Sequence, residues 1–139
     1  YNWTAANKAC PSGWHLPTDE EWQTLEMSLG MSETDAKSND WRSSGTVGSK
    51  LKQSGTAHWS SPNAGANNSS GFTALPGGML LTDYITLKNE ANFYTSSTYR
   101  LLTLNFYYYR NLAYNNTGVK RSGSNVLSTA ALSIRCIKD

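Results

Sequence analysis

Cys10-Pro11-Ser12-Gly13-Trp14-His15-Leu16-Pro17-Thr18-Asp19-Glu20-Glu21-Trp22 is the stretch of this chain whose local chemistry is most plainly written. Thr18 reads as an N-cap, and Glu21, three residues later, as its capping-box partner. Trp22, Leu25 and Leu29 then share one helical face, and Gly30 is a natural stop. Asp19, Glu20 and Glu21 fall in the first turn, where the helix dipole favours negative charge, so they read as cap residues rather than catalytic acids.

Upstream, Trp3, Ala6 and Cys10 stand at i, i+3 and i+7, with Asn2 or Thr4 available as a cap. Residues 3 to 9 therefore read as a short amphipathic helix ending before Pro11, with Cys10 leaving from its buried face. The second cysteine, Cys136, lies near the other end. Two lone cysteines can be a disulfide or two buried thiols, and the extracellular character of the rest of the chain favours the disulfide. Closing so long a loop stabilises a fold by roughly 4 to 5 kcal/mol on the chain-entropy model, and it brings the two ends together.

Downstream, residues 31 to 70 are rich in Ser, Asn, Gly and Thr, with Trp41, Leu51 and Trp59 isolated among them. They read as long connections whose tryptophans plug a core, with one helical turn around Ser49 to Gln53. Gly71 to Leu75 alternates like a strand and meets a tight turn at Pro76-Gly77-Gly78. Further candidate strands cover 79 to 82, 92 to 97, 101 to 108, 111 to 114 and 131 to 137. Asn115-Asn116-Thr117-Gly118 and Ser122-Gly123-Ser124-Asn125 read as the separators between the later ones. Helices first and antiparallel strands after is an α+β order, here two N-terminal helices with a twisted antiparallel sheet and long loops.

The 139 residues suit one domain. With 38% hydrophobic and 16% charged residues the chain is neither disordered nor highly charged. No run approaches the roughly 20 apolar residues that cross a bilayer, so membrane insertion is not expected. A net charge of +2 is too mild to indicate a nucleic-acid partner. The distribution is more telling. Between Asn92 and Lys138 there is no acidic residue, yet Arg100, Arg110, Lys120, Arg121, Arg135 and Lys138 are there, with six of the eight tyrosines. Tyrosine offers rigid contact area at low entropic cost, and Asn, Ser and Gly supply adaptable hydrogen bonds, which is the composition of a recognition surface.

Three motifs carry a family resemblance. Cys10 to Trp22, then Gly71-Phe72-Thr73-Ala74-Leu75-Pro76-Gly77-Gly78, then Ser133-Ile134-Arg135-Cys136-Ile137-Lys138-Asp139 resemble, in order, the Fibrobacter succinogenes major paralogous domain. That family is similar to the C-type-lectin-like superfamily near its formylglycine-generating branch, which shares the Leu-Pro-Thr-x-x-Glu-Trp pattern of Leu16 to Trp22. The resemblance implies one C-type-lectin-like domain over 1–139 with its termini close together, the C-terminal part of a longer exported protein of gut or rumen bacteria, with no established activity. Framework typical of the family stands at Leu104-Asn105-Phe106 and Tyr109-Arg110-Asn111-Leu112, with unusual residues between such blocks. Segment Met79 to Leu87, usually polar in relatives, is apolar here. This mixture is similar to lectin-fold variable proteins diversified by retroelements, found on cell surfaces and at phage tail-fibre tips.

No nucleophile elbow, zinc-binding His-Glu-x-x-His, phosphate-binding glycine loop or Cys-x-x-Cys pair is present. His15 and His58 each sit beside a tryptophan and read as structural histidines. Formylglycine-generating enzymes use cysteines placed together near the C-terminal end, and only Cys136 stands there. The calcium motifs of sugar-binding lectins are likewise missing, so neither metal nor cofactor is expected. The expectation is a non-enzymatic binding domain whose segment 95–130 takes a protein or glycan ligand on a cell surface. The alternatives are a structural or adhesive domain without a dedicated ligand, or a degenerate formylglycine-type enzyme. Alternation along a strand puts Tyr107 and Tyr109 on one face and Tyr108 on the other. The candidate ligand-binding residues are Tyr99, Arg100, Thr103, Asn105, Tyr107, Tyr109, Asn116, Lys120 and Ser124. Without a nearby carboxylate, such a patch would favour acidic, phosphorylated or sulfated partners.

Overall fold

Asn2 and Thr18 begin the first two helices for one reason: each side-chain oxygen accepts a backbone N–H that the first turn leaves unpaired. In the computed structural model, which describes residues 1–125 and 129–139, Asn2 takes the Ala5 N–H at 2.9 Å and opens α1 (Trp3–Ala9). Thr18 takes the Glu21 N–H at 3.1 Å while Glu21 takes the Thr18 N–H at 2.8 Å, opening α2 (Asp19–Ser28). Between them lies the short β1 (Trp14–His15). Beyond α2 come α3 (Glu33–Lys37), capped by Ser32, then β2 (Asp40–Arg42) and α4 (Val47–Leu51). Helix α4 overlaps the helical turn expected around Ser49 to Gln53, whereas α3 was not expected. The cap at Ser32 was readable in principle, but five residues carry too little apolar periodicity to announce α3.

The remaining strands are β3 (Met79–Leu80), β4 (Tyr84–Ile85), β5 (Glu90–Leu101), β6 (Leu104–Ala113), β7 (Val119–Ser124) and β8 (Ile137–Lys138). They form an antiparallel four-stranded sheet in the order β2-β7-β6-β5 and two small antiparallel pairs, β1 with β8 and β3 with β4. Four expectations are corrected. Residues 131 to 137 form no continuous strand: Ala131 and Ser133 make isolated bridges, to Leu80 and Phe93, and only Ile137 enters β8. Residues 71–75 form no strand: Gly71 and Thr73 have φ of +71° and +55°, which breaks the alternation, and only Ala74 makes an isolated bridge, to Lys52. Ser122-Gly123-Ser124 belongs to β7 instead of a turn, because the Tyr99 ring lies so close over Gly123 that a Cβ there would come within 2.5 Å of it. Residues 101 to 108 are not one strand. The chain reverses at Leu102-Thr103, with Leu101 paired to Leu104.

Register assigns the sheet's two faces, since paired residues share a face and successive ones alternate. One face presents Ala91, Phe93, Leu112 and Val119 to Trp22, Met31, Ala36, Val47, Leu51 and Trp59, the main core. Trp59 plugs it as expected. Trp41 does not, being exposed on the edge strand β2. The opposite face presents Tyr94 to Ala6, Leu16, Ala130 and Leu132, with Trp3, Tyr107 and Tyr109 packed around them. The Cys10–Cys136 disulfide and the β1–β8 pair join the two end regions on this side. Closing that 126-residue separation is worth about 4 to 5 kcal/mol in the chain-entropy picture. Disulfides persist in oxidising compartments outside the cytoplasm.

Lys52 secures the long connections. Its fully buried ammonium donates to the carbonyls of Ala64, Ala113 and Asn116 at 3.1, 2.9 and 2.9 Å. Burial without a carboxylate partner brings its pKa down to about 8.

Candidate binding surface

The face of the sheet toward α2 is built on charge. Arg110 and Arg121 are paired across β6 and β7, Arg42 follows from β2, and all three point at the helix. Arg110 donates to Asp19 Oδ1 at 2.6 Å and to Glu26 Oε1 at 2.7 Å. Arg42 holds Glu26 through two bonds of 2.7 and 2.8 Å, and Arg121 holds Asp19 Oδ2 at 2.6 Å. Two carboxylates from one helix therefore neutralise two of three guanidiniums in a nearly dry interior. Burial raises the Asp19 carboxyl, but hydrogen bonds from Arg121 and the charge of Arg110 outweigh it and leave the group below its ordinary value.

This network revises two expectations. Asp19 is a core ion as well as a first-turn residue, while Glu21 is the capping acid and Glu20 is exposed. The stretch that lacks acids in sequence does not lack them in space, because acids of α2 are folded onto Arg110 and Arg121. Lys120 has a carboxylate too, with its Nζ 3.7 Å from Asp40. Arg100 keeps an exposed guanidinium that pairs with no described residue.

Beyond the network the β5–β6 hairpin runs on alone. As far as Ser96 the outer edge of β5 is covered: Gly78 N–H donates to Glu90 O at 2.8 Å, Tyr94 N–H to Ser133 O at 3.2 Å, and Ser96 N–H to Pro17 O at 2.8 Å. After the bulge between Tyr94 and Thr98, no described residue bonds to that edge with its backbone, and β7 follows β6 only as far as the Tyr107–Ser124 pair. Across the projecting ribbon Tyr99 stacks on Phe106, with centroids 5.1 Å apart, and lies 4.9 Å from Tyr108. At its end Leu101, Leu102 and Leu104 are exposed, Leu102 by 89%, with φ +55°.

The candidate residues are partly brought together. Arg100 pairs with Asn105, Tyr107 pairs with Ser124 across β6 and β7, and Tyr109 follows on the same face, with Thr103 at the turn. Tyr107 and Tyr109 do share a face opposite Tyr108, but both are half-buried against the second core, Tyr107 with its ring 4.8 Å from that of Trp3. Tyr99 lies on the other face. Lys120 lies on the Tyr109 face, but beyond Tyr109, toward the root of the hairpin. Asn116 is at the far end of β6, where its side chain accepts the Gly118 N–H at 2.8 Å. Positions 126–128 of the expected segment lie outside the described residues.

The tip leucines were missed. A turn with neither Gly, Asn nor Pro carries no sequence signal, so Leu101 to Leu104 read as strand interior. Elsewhere, His15 has Nδ1 2.6 Å from Asp139 and Nε2 2.9 Å from Glu21, and hydrogen bonds donated by the ring to Asp139 and then to Glu21 raise its pKa. His58 Nδ1 lies 2.8 Å from Gln53 Oε1. Among the described residues the histidine rings hydrogen-bond only to Asp139, Glu21 and Gln53, and both cysteines are in the disulfide.

An α+β domain with antiparallel sheets, a disulfide joining its ends and a projecting aromatic hairpin is the class that these features define. The chain matches the model of the Fibrobacter succinogenes major domain over residues 1–138 and belongs to that family. No curated protein and no solved structure matches it.

Proposed function

We propose that this chain is a non-enzymatic binding domain of C-type-lectin-like fold that grips a protein or glycan with the face and tip of its β5–β6 hairpin. The observation that carries this reading is the projecting ribbon, with three exposed leucines around a turn whose leucine takes a left-handed backbone conformation. Exposed apolar side chains gathered at one place mark an interaction site more often than single scattered ones do. Tyrosine and arginine, the residues that most often carry interface energy, flank them as Tyr99, Arg100 and Tyr107. Because Arg110 and Arg121 are neutralised internally, selection by charge falls to Arg100, and contact area does most of the recognition. The disulfide suits display outside the cytoplasm, on a bacterial surface or a phage fibre. The division between a buried root and a solvent-held tip suits a scaffold whose tip is diversified, as in retroelement-driven variable proteins.

The test is a screen of arrayed bacterial and host surface proteins and glycans with the wild-type chain and with Leu102→Asn, Tyr107→Ala and Tyr109→Ala. Binding that falls by tenfold or more in Leu102→Asn with an unchanged melting temperature supports the tip. Binding unchanged in all three variants moves the site elsewhere.

A further inference from the structure

Against α2, at Glu21, Trp22 and Leu25, lies a cleft of ≈ 210 Å³. The buried Trp22 and half-buried Leu25 and Phe72 line it, with exposed Ile137 and Arg135 and the half-buried Glu21 completing the walls. Its surface is almost wholly apolar, and an apolar cavity of roughly 150 Å³ is enough to take benzene. What sets it apart from a packing defect is its unmet hydrogen-bonding capacity. The Trp22 indole N–H is buried and no described residue accepts it, a situation that costs free energy wherever it occurs. Arg135 holds its guanidinium over the Phe72 ring, 4.4 Å from the centroid, and gives one N–H group to the Phe72 carbonyl. Its remaining donors have no described partner. Glu21, the cleft's one acceptor of charge, already receives the Thr18 N–H and faces His15 Nε2 with both oxygens. The cleft therefore offers donors and apolar surface and lacks acceptors.

We infer that this cleft binds an apolar carboxylate, with a ring or branched chain against Trp22, Leu25 and Phe72 and its oxygens taking hydrogen bonds from the free donors of Arg135. Two sources share that chemistry, a free organic acid and the C-terminal residue of a polypeptide. The site is independent of the hairpin, so loss of binding at either leaves the other standing.

Phenylacetate titrated into the isotope-labelled protein tests this through the Trp22 indole N–H resonance, assigned by its contacts with the Phe72 ring. A ligand of this size should saturate at roughly millimolar concentration. The expected result is a saturable shift of that resonance, at least a tenfold weaker response to the neutral isostere phenylacetamide, and a similar weakening in Arg135→Gln, whose melting temperature should stay near wild type because the residue is exposed. The peptide Ala-Ala-Ala-Phe separates the sources: tighter binding than phenylacetate identifies a chain terminus, weaker binding a free acid. No shift of Trp22 up to about 50 mM, well above that range, overturns the inference. So does an equal response to acid and amide, or an Arg135→Gln protein that binds as wild type does.

Discussion

The root and the tip of the β5–β6 hairpin are made of one continuous ribbon, yet they are held by opposite physics. At the root Arg110 is fully buried, bonded to Asp19 and Glu26 and flanked by Arg42 and Arg121. At the tip Leu102 faces solvent, and the exposed guanidinium of Arg100 makes no ion pair with a described residue. Charge is inside and apolar surface outside, the reverse of the usual order. The inversion teaches that the root is specified by ion pairing and the tip only by its own ladder and the stack of Tyr99 with Phe106 and Tyr108. A side chain at the root cannot change without leaving a buried ion alone, whereas one at the tip can change freely.

The most damaging way to break that contrast is to remove one acid of the network. Asp19→Ala leaves Arg110 and Arg121 with their shared carboxylate gone, and should cost about 3 to 5 kcal/mol in urea unfolding. The same group predicts an acid limb. Its pKa is depressed in the folded state, so it contributes stability that is present above the unfolded value of about 4 and is lost as pH falls through the folded value. Wild-type stability should accordingly hold from neutral pH to about pH 5 and decline below about pH 4, and part of that decline should vanish in Asp19→Ala. Equal acid sensitivity in the two proteins would mean that Asp19 does not carry the charge the root depends on.

A smaller effect belongs to the boundary between the two regions. At Gly123 an added methyl meets the Tyr99 ring at 2.5 Å, and the ring is flexible enough to give way. Gly123→Ala should therefore cost about 1 to 2 kcal/mol, and it should disturb the Tyr99, Phe106 and Tyr108 resonances together while leaving those of Trp22 and Phe93 unmoved. Disturbance of Trp22 as well would show that root and tip are coupled through β7.

Legibility followed the range of the interactions. The caps at Asn2 and Thr18 act within a few residues and can be read directly, as can Trp22 on its helical face. The cysteines are readable because only two exist. The ion network joins Asp19 to residues about a hundred positions away, and no local pattern distinguishes an acid that caps from one that is also buried. Strand β7 was hidden because Ser122-Gly123-Ser124 has turn composition, and its glycine answers to a ring from another strand. The hairpin reversal was hidden for the converse reason, since Leu102 and Thr103 have no turn composition at all. At the candidate site, Arg100, Asn105, Tyr107 and Tyr109 could be named from residue type and alternation. That Arg110 and Arg121 point inward could not, because that is a property of what α2 brings to the sheet.

The smallest expected change in stability is at the tip itself, and there its sign is the informative part. Leucine at φ +55° pays for a left-handed conformation, on the order of 1 kcal/mol. At 89% exposure Leu102 recovers almost nothing by burial within the chain. Asparagine tolerates that backbone region better because its short side chain bonds locally. Leu102→Asn should therefore raise stability by up to about 1 kcal/mol, visible as a higher urea midpoint at unchanged slope. The same variant should lose binding in the surface-protein and glycan screen. A gain in stability joined to a loss of binding would show that the leucine is kept for a partner at the fold's expense. A loss of stability would instead mean that the tip leucines pack on one another in solution, and the tip would then belong with the root as a piece of internal structure.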